Sequence, residues 1–203
     1  MMIDGLDIEA LRLRARANLT DQPSQAVFFA SLVYHKTYLV SDAIVLAKAL
    51  YFDQNYVGCL KVLDQSQASQ QEHPWDALLL GCQALSKTSD WSTTEEIIAN
   101  ACSLDNNGSG GGGAIGSSNN RLTIEDNDMD GWLALKSQIA FDSNSGSCHP
   151  LARLLWWRGK AHFELGDPQR AACFWKTALK LDPTLQAAFG SLLEHHLMTP
   201  SEV

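Results

Sequence analysis

The chain has 203 residues, of which 45% are apolar, so it is long enough and apolar enough to bury a sizeable core. Fifteen basic residues against twenty-three acidic ones give a formal net charge of −8, which disfavours nucleic acid and acidic membrane surfaces as partners. The sequence has no apolar run of about 18 residues and no apolar segment behind a basic N-terminus, so neither a membrane span nor a secretory signal is expected.

The first elements in the chain are predicted to be a pair of helices over about 7–40. Apolar residues recur at helical spacing between Leu6 and Leu19, which predicts the first helix. Pro23 is well placed to begin the second helix, because its fixed φ and missing N–H suit the first turn. Phe28 and Phe29 then lie in the middle of this second helix.

Two further helix pairs are predicted over 40–73 and 74–107. Ala47 and Gly81 hold equivalent small positions in the first helix of each pair, and the separation between them (81 − 47) is 34 residues. A period of about 34 residues is typical of a common helix–turn–helix repeat. We therefore assign residues 1–107 to an N-terminal domain of three such repeats.

The segment 108–150 breaks this period. The run NNGSGGGGAIGSSNN, from Asn106 to Asn120, cannot bury apolar area and predicts a flexible insertion. It lacks the Lys-Ser/Thr pair of a phosphate-binding loop. The acidic run 125–130 lacks the glycine and terminal glutamate of a calcium loop. One short amphipathic helix is predicted from Trp132 to Phe141.

The segment 152–185 has the most specific pattern in the chain. Small residues stand where two helices approach closely, and turn-forming residues stand between and after them: Gly159, Ala171, Gly166, Ala178 and Pro183. This spacing predicts one tetratricopeptide repeat, a unit of protein-binding solenoids. The predicted fold class is therefore all-α, a tetratricopeptide-repeat solenoid with an irregular Gly-rich insertion.

One more helix is predicted from Thr184 to Met198, in a C-terminal domain spanning 151–203. Phe189 and Leu192 would lie on an exposed face of this helix. Terminal repeats of a solenoid normally carry a polar capping helix. We therefore expect the chain to be part of a longer solenoid.

No catalytic residue, metal or cofactor is expected. The five cysteines are odd in number and contain no CxxC pair, which favours a reducing intracellular compartment over disulfides or zinc. Cys148 and His149 are adjacent and form the one conceivable nucleophile–base pair, but nothing near them supplies an orienting acid or an oxyanion hole. His162 is expected to pack rather than to react. A small-molecule substrate is not expected.

Aromatic and basic residues line one side of the predicted helix that begins at Pro150. Trp156, Trp157, Lys160 and Phe163 are candidate partner-binding residues, because tryptophan is enriched at the centres of protein interfaces. The alternative is that the indoles pack against the flanking repeats. The positions that carry Lys, Arg and Asn in co-chaperone repeats are apolar here, so a carboxylate clamp spread over successive repeats is not expected.

The C-terminal third resembles the subunit-six family of the anaphase-promoting complex (the cyclosome), whose members are tetratricopeptide scaffolds of a ubiquitin ligase. The resemblance depends on Arg158-Gly159-Lys160, on ALKLD at 178–182 and on His195-His196. Residues 24–30 also look like the opening repeats of that family. The chain is expected to correspond to the N-terminal portion of such a subunit.

This resemblance implies a non-catalytic scaffold that works by protein–protein contacts in cell-cycle progression. It implies homodimerisation through the N-terminal repeats, with Phe28 and Phe29 as possible dimer contacts, and binding to other tetratricopeptide subunits. A nuclear and cytoplasmic location is expected with it. Two alternatives stay open: a free-standing tetratricopeptide adaptor that binds a peptide in its groove, and an enzyme built on Cys148 and His149.

Overall fold

The computed structural model describes residues 7–66, 75–105, 121–123, 129–138 and 148–198. These ranges form α-helices and one short two-stranded ribbon. In chain order the elements are α1 (Ile8–Ala17), α2 (Pro23–Thr37), α3 (Val40–Phe52), α4 (Tyr56–Gln65), α5 (Trp75–Thr88), α6 (Trp91–Ala101), β1 (Ser103–Asp105), β2 (Arg121–Thr123), α7 (Met129–Gln138), α8 (Pro150–Glu164), α9 (Pro168–Leu181) and α10 (Gln186–Glu194).

The chain divides into two compact units, Met1–Asp90 and Trp91–Val203. The division falls between α5 and α6, which the sequence period places in one repeat. The domain boundaries predicted from the sequence, 1–107, 108–150 and 151–203, stay a prediction.

In the N-terminal unit each helix from α1 to α4 packs against the next, and α3 also contacts α1 and α5. Local signals explain where these helices begin. The carboxylate of Asp7 accepts the N–H groups of Glu9 and Ala10 at the start of α1, and Pro23 occupies the first turn of α2. Small buried residues then let the helices approach closely: Ala15, Ala26, Ala30, Ala43, Ala47, Cys59, Ala77 and Ala84.

In the C-terminal unit α8 packs against α6 and α9, and α9 also packs against α7 and α10. Helices α6 and α8 are thus direct neighbours although the insertion separates them in sequence. Strands β1 and β2 pair antiparallel, with Ser103 opposite Thr123 and Asp105 opposite Arg121. The residues just before and just after the Gly-rich run therefore lie side by side. The predicted Gly-rich run 106–120, the run 124–128 and Phe141 lie outside the described residues.

A close approach of α8 and α9 depends on Gly159. A Cβ atom at this position would lie 2.5 Å from Nε1 of Trp175 and 3.1 Å from the carbonyl oxygen of Ala171. The indole N–H of Trp175 donates to the carbonyl of Trp156 over 3.0 Å. Glycine at 159 therefore allows the Trp175 side chain to lie against the backbone of α8.

The other residues of the repeat pattern occupy turn and core positions. Gly166 lies in the turn between α8 and α9 with φ at 88°, a conformation that suits glycine. Ala178 is fully buried on α9. Pro183 is exposed just after α9 ends. On α5, a Cβ atom added at Gly81 would lie 3.9 Å from the side chain of Leu63.

The helix predicted over 184–198 is shorter in the structure, and the prediction that Leu192 lies on its exposed face is wrong. It ends at Glu194 because His196 adopts φ of 54°, and the N–H of Leu197 then donates to the carbonyl of Leu192. This pattern closes a helix with one left-handed residue. Leu192 is fully buried, whereas Phe189 and Leu193 are 44% and 42% exposed.

Candidate protein-interaction surfaces

Three indole rings surround the ammonium group of Lys160 in the C-terminal unit. Its Nζ lies 5.7 Å from the ring centroid of Trp91, 5.7 Å from that of Trp156 and 5.3 Å from that of Trp157. These distances fall within the range of cation–π attraction. We call Lys160, Trp91, Trp156 and Trp157 the Lys160–indole cluster. The helices α6 and α8 supply its members.

The two adjacent tryptophans have different environments. Trp157 is only 8% exposed, so most of its ring packs inside the unit. Trp156 is partly exposed, its ring meets that of Trp157 edge-on at 4.7 Å, and its indole N–H donates to Oγ of Ser191 over 3.1 Å. Trp156 is therefore the indole of this pair that offers more surface to a partner.

Phe163 lies outside the Lys160–indole cluster. Its ring stacks on the imidazole of His195, with centroids 3.9 Å apart, and lies 5.8 Å from the ring of Trp175. His195 also stacks on Trp175, at 5.7 Å. Of the four partner-binding candidates, the structure brings Trp156, Trp157 and Lys160 together and places Phe163 beneath the end of α10. Their role in binding a partner stays a prediction.

A polar network beside this cluster was not predicted from the sequence. Arg158 donates to Glu95 on α6 over 3.1 Å, and its guanidinium lies 4.5 Å from the ring of Phe174. The imidazole of His162 stacks on the ring of Phe174, with centroids 5.2 Å apart, and its Nε2 lies 3.9 Å from Glu95. His162 therefore packs, as expected. These contacts join α6 to α8, and residue spacing cannot reveal them because Glu95 and Arg158 are far apart in the chain.

The N-terminal unit offers a second apolar surface. Phe28 is 58% exposed on α2, and its ring meets the partly buried ring of Phe29 edge-on at 5.5 Å. The guanidinium of Arg14 lies 5.9 Å from the Phe29 ring. The structure thus makes Phe28 an accessible aromatic side chain and Phe29 its support. Their role as dimer contacts stays a prediction.

Cys148 and His149 lie at the start of α8 and contact neighbouring backbone and side-chain groups. The Nδ1 atom of His149 accepts the N–H of Leu151 over 3.2 Å, which caps the first turn of α8. Burial, with a smaller effect of Lys136, lowers the pKa of this imidazole below its ordinary value. The sulfur of Cys148 lies 3.8 Å from Oγ1 of Thr184. Nδ1 of His149 is therefore occupied by the backbone of α8 and does not act as the base of a Cys148–His149 pair in this arrangement.

In the described ranges no group of three or more His, Cys, Asp or Glu side chains is arranged to hold a metal ion. None of the helices described is both long and apolar enough to span a membrane.

The chain is similar to two known tetratricopeptide proteins. No protein-family model matches the chain. Subunit 6 of the anaphase-promoting complex of Arabidopsis thaliana is 25% identical over 179 residues, which are 88% of this chain and 29% of that protein. The crystal structure of the anaphase-promoting complex hetero-tetramer Cut9–Hcn1 matches with a TM-score of 0.69 and 20% identity, over 97% of this chain and 30% of the matched chain.

The structural match shows the fold, a tetratricopeptide-repeat solenoid, and confirms the predicted all-α class. The ribbon of β1 and β2 is an addition to it at the insertion. The chain spans less than a third of the length of these two relatives. The resemblance predicted from the sequence is therefore confirmed: over most of its length the chain is similar to subunit 6 of the anaphase-promoting complex, and it has a tetratricopeptide-repeat fold.

Proposed function

We propose that the chain is a structural subunit of an anaphase-promoting-complex ubiquitin ligase and acts through protein–protein contacts in cell-cycle progression and mitotic division. The observation that carries this proposal is the similarity to subunit 6 over 88% of the chain. Its partners would be other tetratricopeptide subunits of the complex and a second copy of itself. The chain would position other subunits and carry out no reaction.

The test is affinity purification of the tagged chain from dividing cells of its own organism, followed by quantitative mass spectrometry. We expect several subunits of the anaphase-promoting complex to be enriched together and in comparable amounts. A tagged tetratricopeptide protein from another assembly is the control bait. Recovery of the chain without any of these subunits would contradict the proposal.

Self-association is the second part of the proposal, and the exposed ring of Phe28 supports it. Light scattering over a concentration series measures the mass of the purified chain in solution. A dimer would have a mass close to twice 22.3 kDa that persists on dilution. A mass of one chain at every concentration would remove self-association from the proposal.

The alternative function is a free-standing adaptor that binds a peptide in its groove. The Lys160–indole cluster favours it, because three indoles and a cation meet at one place on α6 and α8. An adaptor does not require a second copy or the other subunits of the complex. A monomeric chain that binds a peptide and fails to enrich those subunits would support the adaptor.

We also propose that the chain works in the nucleus and cytoplasm. All five cysteines lie in described parts of the chain, and none forms a disulfide there, which suits a reducing compartment. Fluorescence microscopy of the tagged chain tests this proposal. Signal confined to the secretory pathway would contradict it.

A further inference from the structure

We infer that the Lys160–indole cluster binds an acidic peptide segment of a partner protein, in which a side-chain carboxylate pairs with Lys160 and an adjoining apolar side chain packs on Trp91 and Trp156. The inference deepens the proposed scaffold function, because it names the chemistry of one partner contact. It does not depend on which assembly supplies the partner.

The ammonium group of Lys160 has no carboxylate partner among the described residues. Arg12, Lys48 and Arg158 each have a carboxylate oxygen within 4 Å. For Lys160, in contrast, the described part of the chain supplies three ring faces and no ion pair. Lys160 lacks an ion pair within the described residues although acidic residues outnumber basic ones by 23 to 15 in the whole sequence. A carboxylate from another molecule would neutralise the positive charge of Lys160.

The ammonium group of Lys160 is already held in place by the three indole rings. A lysine side chain loses rotamer freedom when it forms an ion pair, which is one reason why exposed pairs contribute little. Contact with three indoles restricts Lys160 before a partner arrives, and each contact attracts the cation. A binding group that is ordered in advance costs less to use. The cluster therefore suits ion pairing better than an exposed, mobile lysine does.

Tryptophan rings form the walls of the site. Trp91 and Trp156 are partly exposed, whereas Trp157 is buried and its ring contacts that of Trp156. Large flat rings beside a charged group are typical of interface centres. An apolar side chain next to the carboxylate would cover these rings and shield the ion pair from water. The favoured ligand is therefore a segment in which Asp or Glu alternates with apolar residues.

The experiment uses the whole chain and synthetic peptides. Short peptides that place one Asp or Glu between apolar residues are capped at both ends, and each is paired with its Asn or Gln counterpart. Binding is measured by isothermal titration and by the change in tryptophan fluorescence. We expect the acidic peptide to bind about tenfold or more tightly than its amide counterpart, since a hydrogen bond between charged groups is lost in the latter.

Three variants test the residue assignment. Lys160→Gln should abolish the preference for the acidic peptide, and Lys160→Arg should keep most of it because the charge stays. Lys180→Gln is the matched control, since Lys180 is an exposed lysine on the neighbouring helix α9. Circular dichroism melting checks that all three variants fold. The preference should weaken as salt concentration rises.

Three outcomes would overturn the inference. Equal affinity for the acidic and amide peptides, or an unchanged preference in the Lys160→Gln variant, removes the role of Lys160. Stronger binding of the amide peptides when their C-terminus is left uncapped, with no gain from a side-chain carboxylate, would show that the site takes a chain end instead of a side chain. If the preference for the acidic peptide is absent while the tagged chain still enriches the subunits of the complex, the scaffold function stands and the inference alone fails.

Discussion

Arg12 on α1 and Asp42 on α3 form a two-point ion pair within the N-terminal unit. The Nε of Arg12 donates to Oδ1 over 2.8 Å and Nη2 donates to Oδ2 over 2.6 Å. The Asp42 side chain is only 4% exposed. Arg12 lowers the pKa of Asp42 below its usual range; burial opposes this effect, and the hydroxyl of Thr37, 2.7 Å from Oδ2, adds to it.

Asp42→Asn should therefore destabilise the unit at neutral pH and have little effect in acid. A carboxylate whose pKa is lowered by folding stabilises the fold above its unfolded pKa, about 3.9, and loses this contribution as pH falls through its lower folded value. Urea unfolding of the chain and the variant at a series of pH values measures the difference. We expect it to shrink at pH values below about 4.

Asp76→Asn is the control for Asp42→Asn. Asp76 pairs with Lys48 over 3.3 Å but is 70% exposed, so water screens the pair. We expect almost no change in the free energy of unfolding at any pH. A penalty for Asp42→Asn that is independent of pH would contradict the assigned role of the charge.

Gly159→Ala should destabilise the C-terminal unit by about 1–3 kcal/mol, the usual cost of overpacking a core. The added methyl group would lie 2.5 Å from the indole nitrogen of Trp175 and displace that ring. Thermal and urea unfolding measure the loss. Gly190→Ala is the matched control, because no atom lies within 4 Å of its added Cβ. In the helix α10 it should raise stability, by up to about 1 kcal/mol.

The adjacent histidines His195 and His196 should respond in opposite ways. His195→Ala removes ring contacts with Phe163 and Trp175 and should cost about 1 kcal/mol. His196→Gly relieves a left-handed backbone with φ of 54° and should be neutral or stabilising by up to about 1 kcal/mol. Hydrogen exchange of the α10 amides distinguishes the two: faster exchange is expected only for His195→Ala.

Phe28→Ser should weaken self-association if α2 carries the dimer contact. The ring is 58% exposed in one chain, so its removal leaves the fold almost unchanged and reduces only buried area between copies. Light scattering measures the mass and circular dichroism the fold. Leu165→Ser is the control, since Leu165 is 53% exposed in the other unit. An equal loss of dimer in both variants would argue against a specific role for α2.

Alkylation should divide the cysteines into two classes. Burial raises the pKa of Cys59 and of Cys102 to about 12, so neither forms a thiolate readily. Cys82 is fully buried as well, whereas Cys148 and Cys173 are partly exposed. Iodoacetamide at mildly alkaline pH should label the last two in the folded chain and all five in urea. Mass spectrometry of digested peptides gives the result, and rapid native labelling of Cys59 would contradict the packing described.

Short-range signals predicted much of the helical stack. Pro23 and Pro150 begin α2 and α8, and Gly166 lies in the turn after α8. These features could be predicted because a helix boundary depends on residues within one or two turns of it. The end of α10 was missed because a histidine takes the left-handed position that glycine usually holds.

The sequence by itself determined the helix pairs, the repeat length and the family resemblance, since these depend on the order of small, apolar and turn-forming residues. Only the tertiary structure decided that α6 packs on α8 across the insertion, and therefore that Trp91 joins Trp156 and Lys160. The period of the sequence is lost between these helices. Their contact depends on how side chains fill the space between two helices, which no local spacing encodes.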